Sequence, residues 1–208
     1  MEKNLTWKKI EELAADFSLP FCKTLEPSSF KETFRFARAL GWPVVLKTAS
    51  PEILHRTEKG GVVTDIRSKK ELKKAWKQVS GLGGLTLLQP QIKGTELAVG
   101  MKRDPQFGPV LMFGLGGIFI EVLKDIAFRV APVDKNEAIE MVKEIKSFKV
   151  LKGFRGREEV DLNNVADILI KLSRLVMAEE KIVEVDFNPV MANSQKALIV
   201  DAKIIYES

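Results

Sequence analysis

Apolar residues recur at helical spacing in three places along the chain. After Ser29 they fall at Phe30, Phe34, Ala37 and Leu40, and after Ser68 at Leu72, Ala75, Trp76 and Val79. A longer stripe follows Asp161: Val165, Ile168, Leu169, Leu172, Leu175 and Val176. Each stripe is one face of an amphipathic helix turned toward a core. The starts carry their own signals. Ser29 with Glu32, Ser68 with Glu71 and Asp134 with Glu137 each pair an N-cap oxygen with a carboxylate three residues on. Gly41 is placed to stop the helix that begins after Ser29. A further helix is predicted from about residue 6 to 17.

Between these helices lie short runs rich in β-branched and aromatic residues, at 44–48, 61–66, 85–89, 96–101, 109–113, 118–122, 127–131, 182–187 and 197–200. Helix and strand do not alternate strictly. From about residue 85 to 131 strand follows strand, which predicts an antiparallel sheet and an α+β architecture. Gln89-Pro90-Gln91 reads as a connection between two lobes. No internal repeat or low-complexity linker interrupts the chain.

The chain has 208 residues, 45% hydrophobic and 29% charged, enough for a sizeable core in one or two small domains. No apolar run approaches the roughly 18 residues of a membrane span, and Met1 to Leu5 lacks a signal-peptide core. The single cysteine, Cys22, reads as a buried apolar filler in a reducing, cytoplasmic setting. The net charge of +5 is spread as Lys and Arg interleaved with Glu and Asp. That pattern describes a solvated surface, so neither nucleic acid nor membrane is an expected partner.

Two constellations carry chemistry. Lys47 closes the run Pro43 to Lys47, and eight residues later comes His55, the only histidine, before Gly60 and Gly61. An ammonium can neutralise phosphate oxygens, and paired glycines let backbone N–H groups approach phosphate. A neutral imidazole, with an unperturbed pKa of about 6.5, can accept a phosphoryl group. The alternatives are a lysine reaching to water, a glycine turn and a surface histidine. In the second constellation, Asp186 and Asn188, and then Asp201, follow apolar runs. These hard oxygen donors suit Mg²⁺ bound to nucleotide phosphates, and the spacing of Asn188 and Asp201 fits two strands of one hairpin. The alternative is that Asn-Pro and Asp are turn residues.

Two glycine segments stand apart. Gly114-Leu115-Gly116-Gly117 is not a dinucleotide fingerprint, because a strand follows it; it reads as tight backbone beside a ligand or partner. Gly153-Phe154-Arg155-Gly156-Arg157 is a basic loop that could receive phosphate or be a solvated turn. Glu121, Asp125 and Arg129 alternate with apolar residues in the strands after the first segment.

Taken in order, these motifs resemble the ATP-grasp domain of the nucleoside-diphosphate-forming acyl-CoA synthetases, above all the β subunits of ADP-forming acetate–CoA ligases. The residues that carry the likeness are Gly41 to Lys47, Ser50 to His55, Lys59 to Val62, Gln89-Pro90, Gly94 to Gly100, Phe107 to Pro109, Phe113 to Gly117, Gly153 to Gly156 and Glu184 to Pro189. The likeness runs from about residue 5 to the end. It implies an ATP-grasp fold of two α/β lobes with nucleotide between them, one domain over 1–208 with approximate lobes 18–90 and 91–208.

The resemblance also implies roles. Lys47 would contact ATP phosphates, with Arg56, Gly60 and Gly61 over the nucleotide. Gln89 to Ile92 would form the adenine-side hinge, and Glu96 would accept from the ribose hydroxyls. Asn188 and Asp201 would hold Mg²⁺, with Asp186 nearby, and His55 would relay phosphate to ADP. The family usually has His-Lys-x-Asp before the glycines; here it is His55-Arg56-Thr57-Glu58, which keeps the charges but lengthens the acid. The relatives' CoA-binding and acyl-binding domains have no counterpart. The expected protein is therefore a subunit of a heteromer, a heterotetramer with a CoA-binding α subunit. It would couple acyl-CoA, ADP and phosphate to acid, CoA and ATP. Two other readings are an ATP-grasp ligase that makes an acyl-phosphate directly and a non-catalytic nucleotide-sensing module of an acyltransferase.

Overall fold

The helix caps legible in the sequence are formed. Ser29, Ser68 and Asp134 accept hydrogen bonds from the N–H groups of Glu32, Glu71 and Glu137. At Asp134 the return bond is also made, from its own N–H to Glu137, which completes a capping box. Glu32 and Glu71 reach one residue further back, to the N–H groups of Ser28 and Arg67. Gly41, at φ 85°, ends the helix as expected.

The computed structural model describes residues 2–49, 60–117, 124–153 and 158–207. In chain order the elements are β1 (Glu2–Asn4), α1 (Trp7–Asp16), α2 (Phe30–Leu40), β2 (Val44–Thr48), β3 (Val62–Ile66), α3 (Lys69–Ser80), β4 (Thr86–Pro90), β5 (Thr95–Asp104), β6 (Gly108–Leu115), β7 (Ile126–Val130), α4 (Lys135–Glu144), α5 (Phe148–Leu151), α6 (Leu162–Ala178), β8 (Ile182–Ala192), β9 (Ala197–Ile199) and β10 (Lys203–Glu207). They form two compact units, Met1–Phe21 with Lys93–Ser208, and Cys22–Ile92.

The smaller unit is a three-stranded antiparallel sheet, β3-β2-β4. Its core joins Val44, Leu46 and Leu88 to Ala37 of α2 and to Leu72, Ala75 and Val79 of α3. Alternation along the strands then turns Val45 and Lys47 of β2, with Leu87 and Gln89 of β4, to the opposite face. The centre of the chain is antiparallel as expected, and it divides after Gln89-Pro90. β4 belongs to this small sheet, and β5 opens the larger one.

The larger unit holds a seven-stranded sheet, β1-β10-β8-β5-β6-β7, with β9 also on β8. Leu97, Val99 and Met101 of β5, Leu111 and Phe113 of β6, and Val185 and Phe187 of β8 share a core with α1, α4 and α6. Full burial of side chains of this size contributes roughly 1.5–3 kcal/mol each. The residues between them, including Glu96, Gly100, Glu184 and Asp186, therefore take the other face.

Three elements were not foreseen: β1, β10 and α5. Each is short, and β10 is separated from β9 by a break that reads in sequence as the end of a strand. β8 runs on to Ala192, past Asn188-Pro189, where a stop was expected. Its pairing with β5 shifts there by one residue, from Val99↔Phe187 to Leu97↔Val190. Proline has no N–H for the ladder, and the bulge absorbs the extra residue. The expected strand at 118–122 lies outside the described residues.

Arg103, on the helix side of β5, locks this arrangement. Its guanidinium donates to the carbonyls of Val176 (2.8 Å), Ile182 (3.0 Å) and Glu179 (3.4 Å). It thus satisfies the open end of α6 and the first residue of β8 together. Arg103→Met should lower unfolding stability by about 2 kcal/mol in denaturant titration. Arg103→Lys should recover only part of this, because a single ammonium nitrogen cannot reproduce the separate Nε and Nη2 positions from which the guanidinium donates. A loss below about 0.5 kcal/mol for Arg103→Met would show that the lock contributes nothing.

Candidate functional site

In the smaller unit, Lys47 sits on the central strand, paired with Leu87 on one side and Val62 on the other. It does not reach to bulk water: its exposure is 2%. A buried ammonium is found where acceptors or anions compensate its lost hydration. Gln89, fully buried on β4, shares its sheet face. The Gln89 amide donates to Thr24 Oγ1 at 2.8 Å, which fixes its orientation. Ile92, half-buried, is the last residue of this unit.

Gly60 and Gly61 lie beside Lys47. Gly60 has φ 68°, the left-handed region that favours glycine. The Gly61 carbonyl accepts from the N–H of Thr48 at 2.9 Å, and the Gly60 carbonyl accepts from Gln78 Nε2 at 2.8 Å. Gln78 of α3 thus anchors the turn, a role no local pattern reveals. His55 and Arg56 lie outside the described residues, as do Phe154 to Arg157 of the basic loop and Glu121.

In the larger unit, Glu184 and Asp186 share the sheet face opposite the helices. Asn188 is exposed at the bulge. β8 and β9 form the expected hairpin, paired from Val190↔Ile199 to Ala192↔Ala197, and Asp201 follows its second strand, in the break between β9 and β10. Both of those strands pair with β8 in one continuous register, Val190↔Ile199 before the break and Lys203↔Asp186 after it. The Val200 N–H donates to the Pro189 carbonyl at 3.1 Å. Carried through the break, that register sets Asp201 opposite Asn188. The hairpin register, continued through the break, thus brings the two residues together at the bulge.

Burial pushes the Asp186 carboxyl up, from an ordinary 3.8 to about 6, and the neighbouring carboxylates of Glu184 and Asp201 add to this. Lys203, directly across from Asp186, works the other way, and its Nζ lies 3.6 Å from Glu184. Crowded carboxylates of this kind favour a bound cation. Among the described residues no three His, Cys, Asp or Glu side chains cluster closely enough to hold a metal by themselves. Two carboxylates and an amide oxygen, completed by water or phosphate oxygens, match the preference of Mg²⁺ for a partial protein shell. Glu184 and Lys203 were not singled out from the sequence as site residues. Their signal is the period-two spacing with Asp186 and the cross-strand register.

Glu96 is the second residue of β5, exposed, opposite Met191 of β8. Asp125 and Arg129 are structural. Burial would raise the Asp125 carboxyl, but bonds from the Ser147 hydroxyl and the N–H groups of Lys146 and Ser147 hold it below its ordinary value. Arg129 pairs with Glu144 at 2.6 Å.

The profile of the ATP-grasp domain family matches residues 1–205. The acetate–CoA ligase (ADP-forming) I subunit beta of Pyrococcus furiosus is 38% identical over 205 residues, 94% of this chain and 88% of that one. The acetate–CoA ligase (ADP-forming) I of Archaeoglobus fulgidus is 40% identical over 179 residues, 81% of this chain but only 26% of that protein's length. In three dimensions the chain is similar to the dinucleotide-forming acetyl-coenzyme A synthetase 1 of Ca. Korarchaeum cryptofilum, solved with coenzyme A, Ca-AMPCP and HgCl⁺. The TM-score is 0.91 at 38% identity, covering 99% of this chain and 94% of that one. Another structure of that enzyme, with coenzyme A and Mg-AMPPCP, has its phosphohistidine segment pointing towards the nucleotide binding site. A family profile matched along nearly the whole chain, and a β subunit covered over most of its length, establish that this chain belongs to the ATP-grasp domain family, in the group of the ADP-forming acetate–CoA ligase β subunits.

Proposed function

We propose that this chain is the nucleotide-binding subunit of a cytoplasmic ADP-forming acyl-CoA synthetase, working in a heterotetramer with a separate CoA-binding α subunit. It binds ATP or ADP with Mg²⁺ and exchanges phosphate reversibly with His55. The observation that carries this reading is the match over 88% of a β subunit, with a buried lysine and an acidic strand break at the motif positions.

Lys47 neutralises phosphate oxygens, and the Gly60-Gly61 turn, pinned by Gln78 and Thr48, offers backbone beside it. Arg56 adds a cation over the nucleotide. Gln89 and Ile92 border the adenine, and Glu96 accepts from the ribose hydroxyls. Asp186, Asn188 and Asp201 supply the oxygens that hold Mg²⁺, whose charge offsets that of the phosphates. In the forward step an imidazole nitrogen lone pair of His55 forms an N–P bond to the γ-phosphorus. The bridging P–O bond breaks as this happens, and its electron pair leaves with ADP. The reverse step makes ATP from phosphohistidine and ADP.

Two of the relatives are named as β subunits, which supports a separate partner subunit. Mixed with a CoA-binding α subunit, the protein should form ATP from acyl-CoA, ADP and phosphate; alone it should show no CoA-dependent turnover. Robust acyl-CoA synthesis by the isolated 208-residue chain would contradict the subunit assignment.

The acidic break gives a second test. A carboxyl whose folded pKa is raised favours the fold most when protonated. The contribution of Asp186 is therefore complete below about pH 4 and lost as pH rises to about 6. Without nucleotide or Mg²⁺, Asp186→Asn should be more stable than wild type at pH 8, by about 2 kcal/mol, and equal to it near pH 3.5. With MgATP the order should reverse, because wild type gains the larger thermal shift. Asp201→Asn should weaken MgATP binding in calorimetry by about 1–3 kcal/mol. Unchanged affinity in both variants would remove these residues from the metal site.

A further inference from the structure

The segment Gly114-Leu115-Gly116-Gly117 has no role in the reading above, and its surroundings define one. β6 pairs with β5 up to Leu97↔Leu115. One step further, the Gly116 N–H donates to the Glu96 carbonyl at 2.7 Å. Gly116 is therefore the residue directly across from Glu96. A Cβ at Gly116 would stand 3.2 Å from the Glu96 Cβ and 3.1 Å from its carbonyl carbon. Ordinary cross-strand Cβ atoms stand about 4.5–5.5 Å apart. A side chain at Gly116 would therefore be crowded, and the Glu96 strand would have to give by a few tenths of an ångström to admit it.

At Gly117 the chain turns into the left-handed region, φ 63°. A Cβ there would lie 3.2 Å from Glu96 Oε2, an atom of the carboxylate itself. The backbone of Gly116 and Gly117 thus forms a floor under the Glu96 side chain. Glu96 is exposed, and a glutamate on an open strand face would otherwise spread over several rotamers. The missing side chains leave room for the rotamer that lays the carboxylate over Gly117. The two glycines shape this floor in different ways: Gly116 permits the close approach, and Gly117 leaves the space that the carboxylate oxygen takes.

We propose that Gly116 and Gly117 are positioning residues that hold the Glu96 carboxylate where it accepts hydrogen bonds from the ribose of the nucleotide. This rests on the assignment of Glu96 to the ribose hydroxyls. The role is one of preorganisation: the carboxylate loses less freedom when the ribose binds, so more of each hydrogen bond appears as affinity.

The test uses dissociation constants for MgATP and for Mg-2′,3′-dideoxy-ATP, which lacks both hydroxyls, measured by calorimetry on the intact chain. Gly117→Ala adds a Cβ beside Oε2 but also strains the backbone. Gly117→Asn adds the same Cβ with a residue that tolerates positive φ. Both variants should weaken MgATP by about tenfold, the partial loss of a charge-assisted contact, and leave the dideoxy nucleotide unchanged. In a Glu96→Ala background, neither Gly117 change should weaken MgATP further. If Gly117→Asn binds MgATP as wild type does while Glu96→Ala loses affinity for it alone, the positioning role is overturned and the ribose assignment stands. Equal losses for both nucleotides in the Gly117 variants would likewise overturn it, as a general distortion. If Glu96→Ala does not separate the two nucleotides, the ribose assignment fails and the inference fails with it.

Discussion

The pairing of β5 with β8 is the constraint on which the larger unit depends. It joins the two longest strands, and its register decides which side chains enter the core. Leu97, Val99 and Met101 meet Val185 and Phe187 beneath the helices. The same alternation turns Glu96 and Asp186 to the open face. A slip of one residue would exchange the two sets. Such a slip would bury the carboxylates and expose the apolar side chains. The bulge at Asn188-Pro189 is where the β5–β8 register moves, and the candidate metal donors lie beside it. Arg103 holds the start of β8 to the end of α6, so the register is anchored away from the bulge.

Local chemistry and long-range pairing explain what the sequence discloses and what it conceals. The helix starts at Ser29, Ser68 and Asp134 are legible because a cap and its partner lie three residues apart. The burial stripes of α2, α3 and α6 are legible for the same reason, since helical contacts are local. The strand Val44–Thr48 is found with its observed bounds. Register is different. The spacing of Asn188 and Asp201 already fits the hairpin that sets them opposite each other, but that Gly116 lies across from Glu96 depends on pairing between separate strands. No periodicity within one segment encodes it. For the same reason Asn188-Pro189 reads as the end of a strand, although the chain passes through it as a bulge.

Lys47 and Asp186 show how burial changes chemistry. In sequence, Lys47 is a cation at the end of an apolar run, with water as its natural neighbour. In the fold it is on the central strand and almost fully buried. Asp186 looks like an ordinary carboxylate, yet burial and two acidic neighbours raise its pKa to about 6. Both groups are held in surroundings that favour the opposite charge beside them. In the function proposed above, that charge would be a phosphate for Lys47 and a divalent cation for Asp186.

The central claim is that phosphate passes from ATP to His55, and direct labelling tests it. Wild-type protein incubated with [γ-³²P]ATP and Mg²⁺ should acquire label that is labile in acid and stable in base, as a phosphoramidate is. His55→Ala should bind MgATP with wild-type affinity and acquire none. Equal labelling of the variant, or nucleotide binding by wild type without any label, would contradict the account.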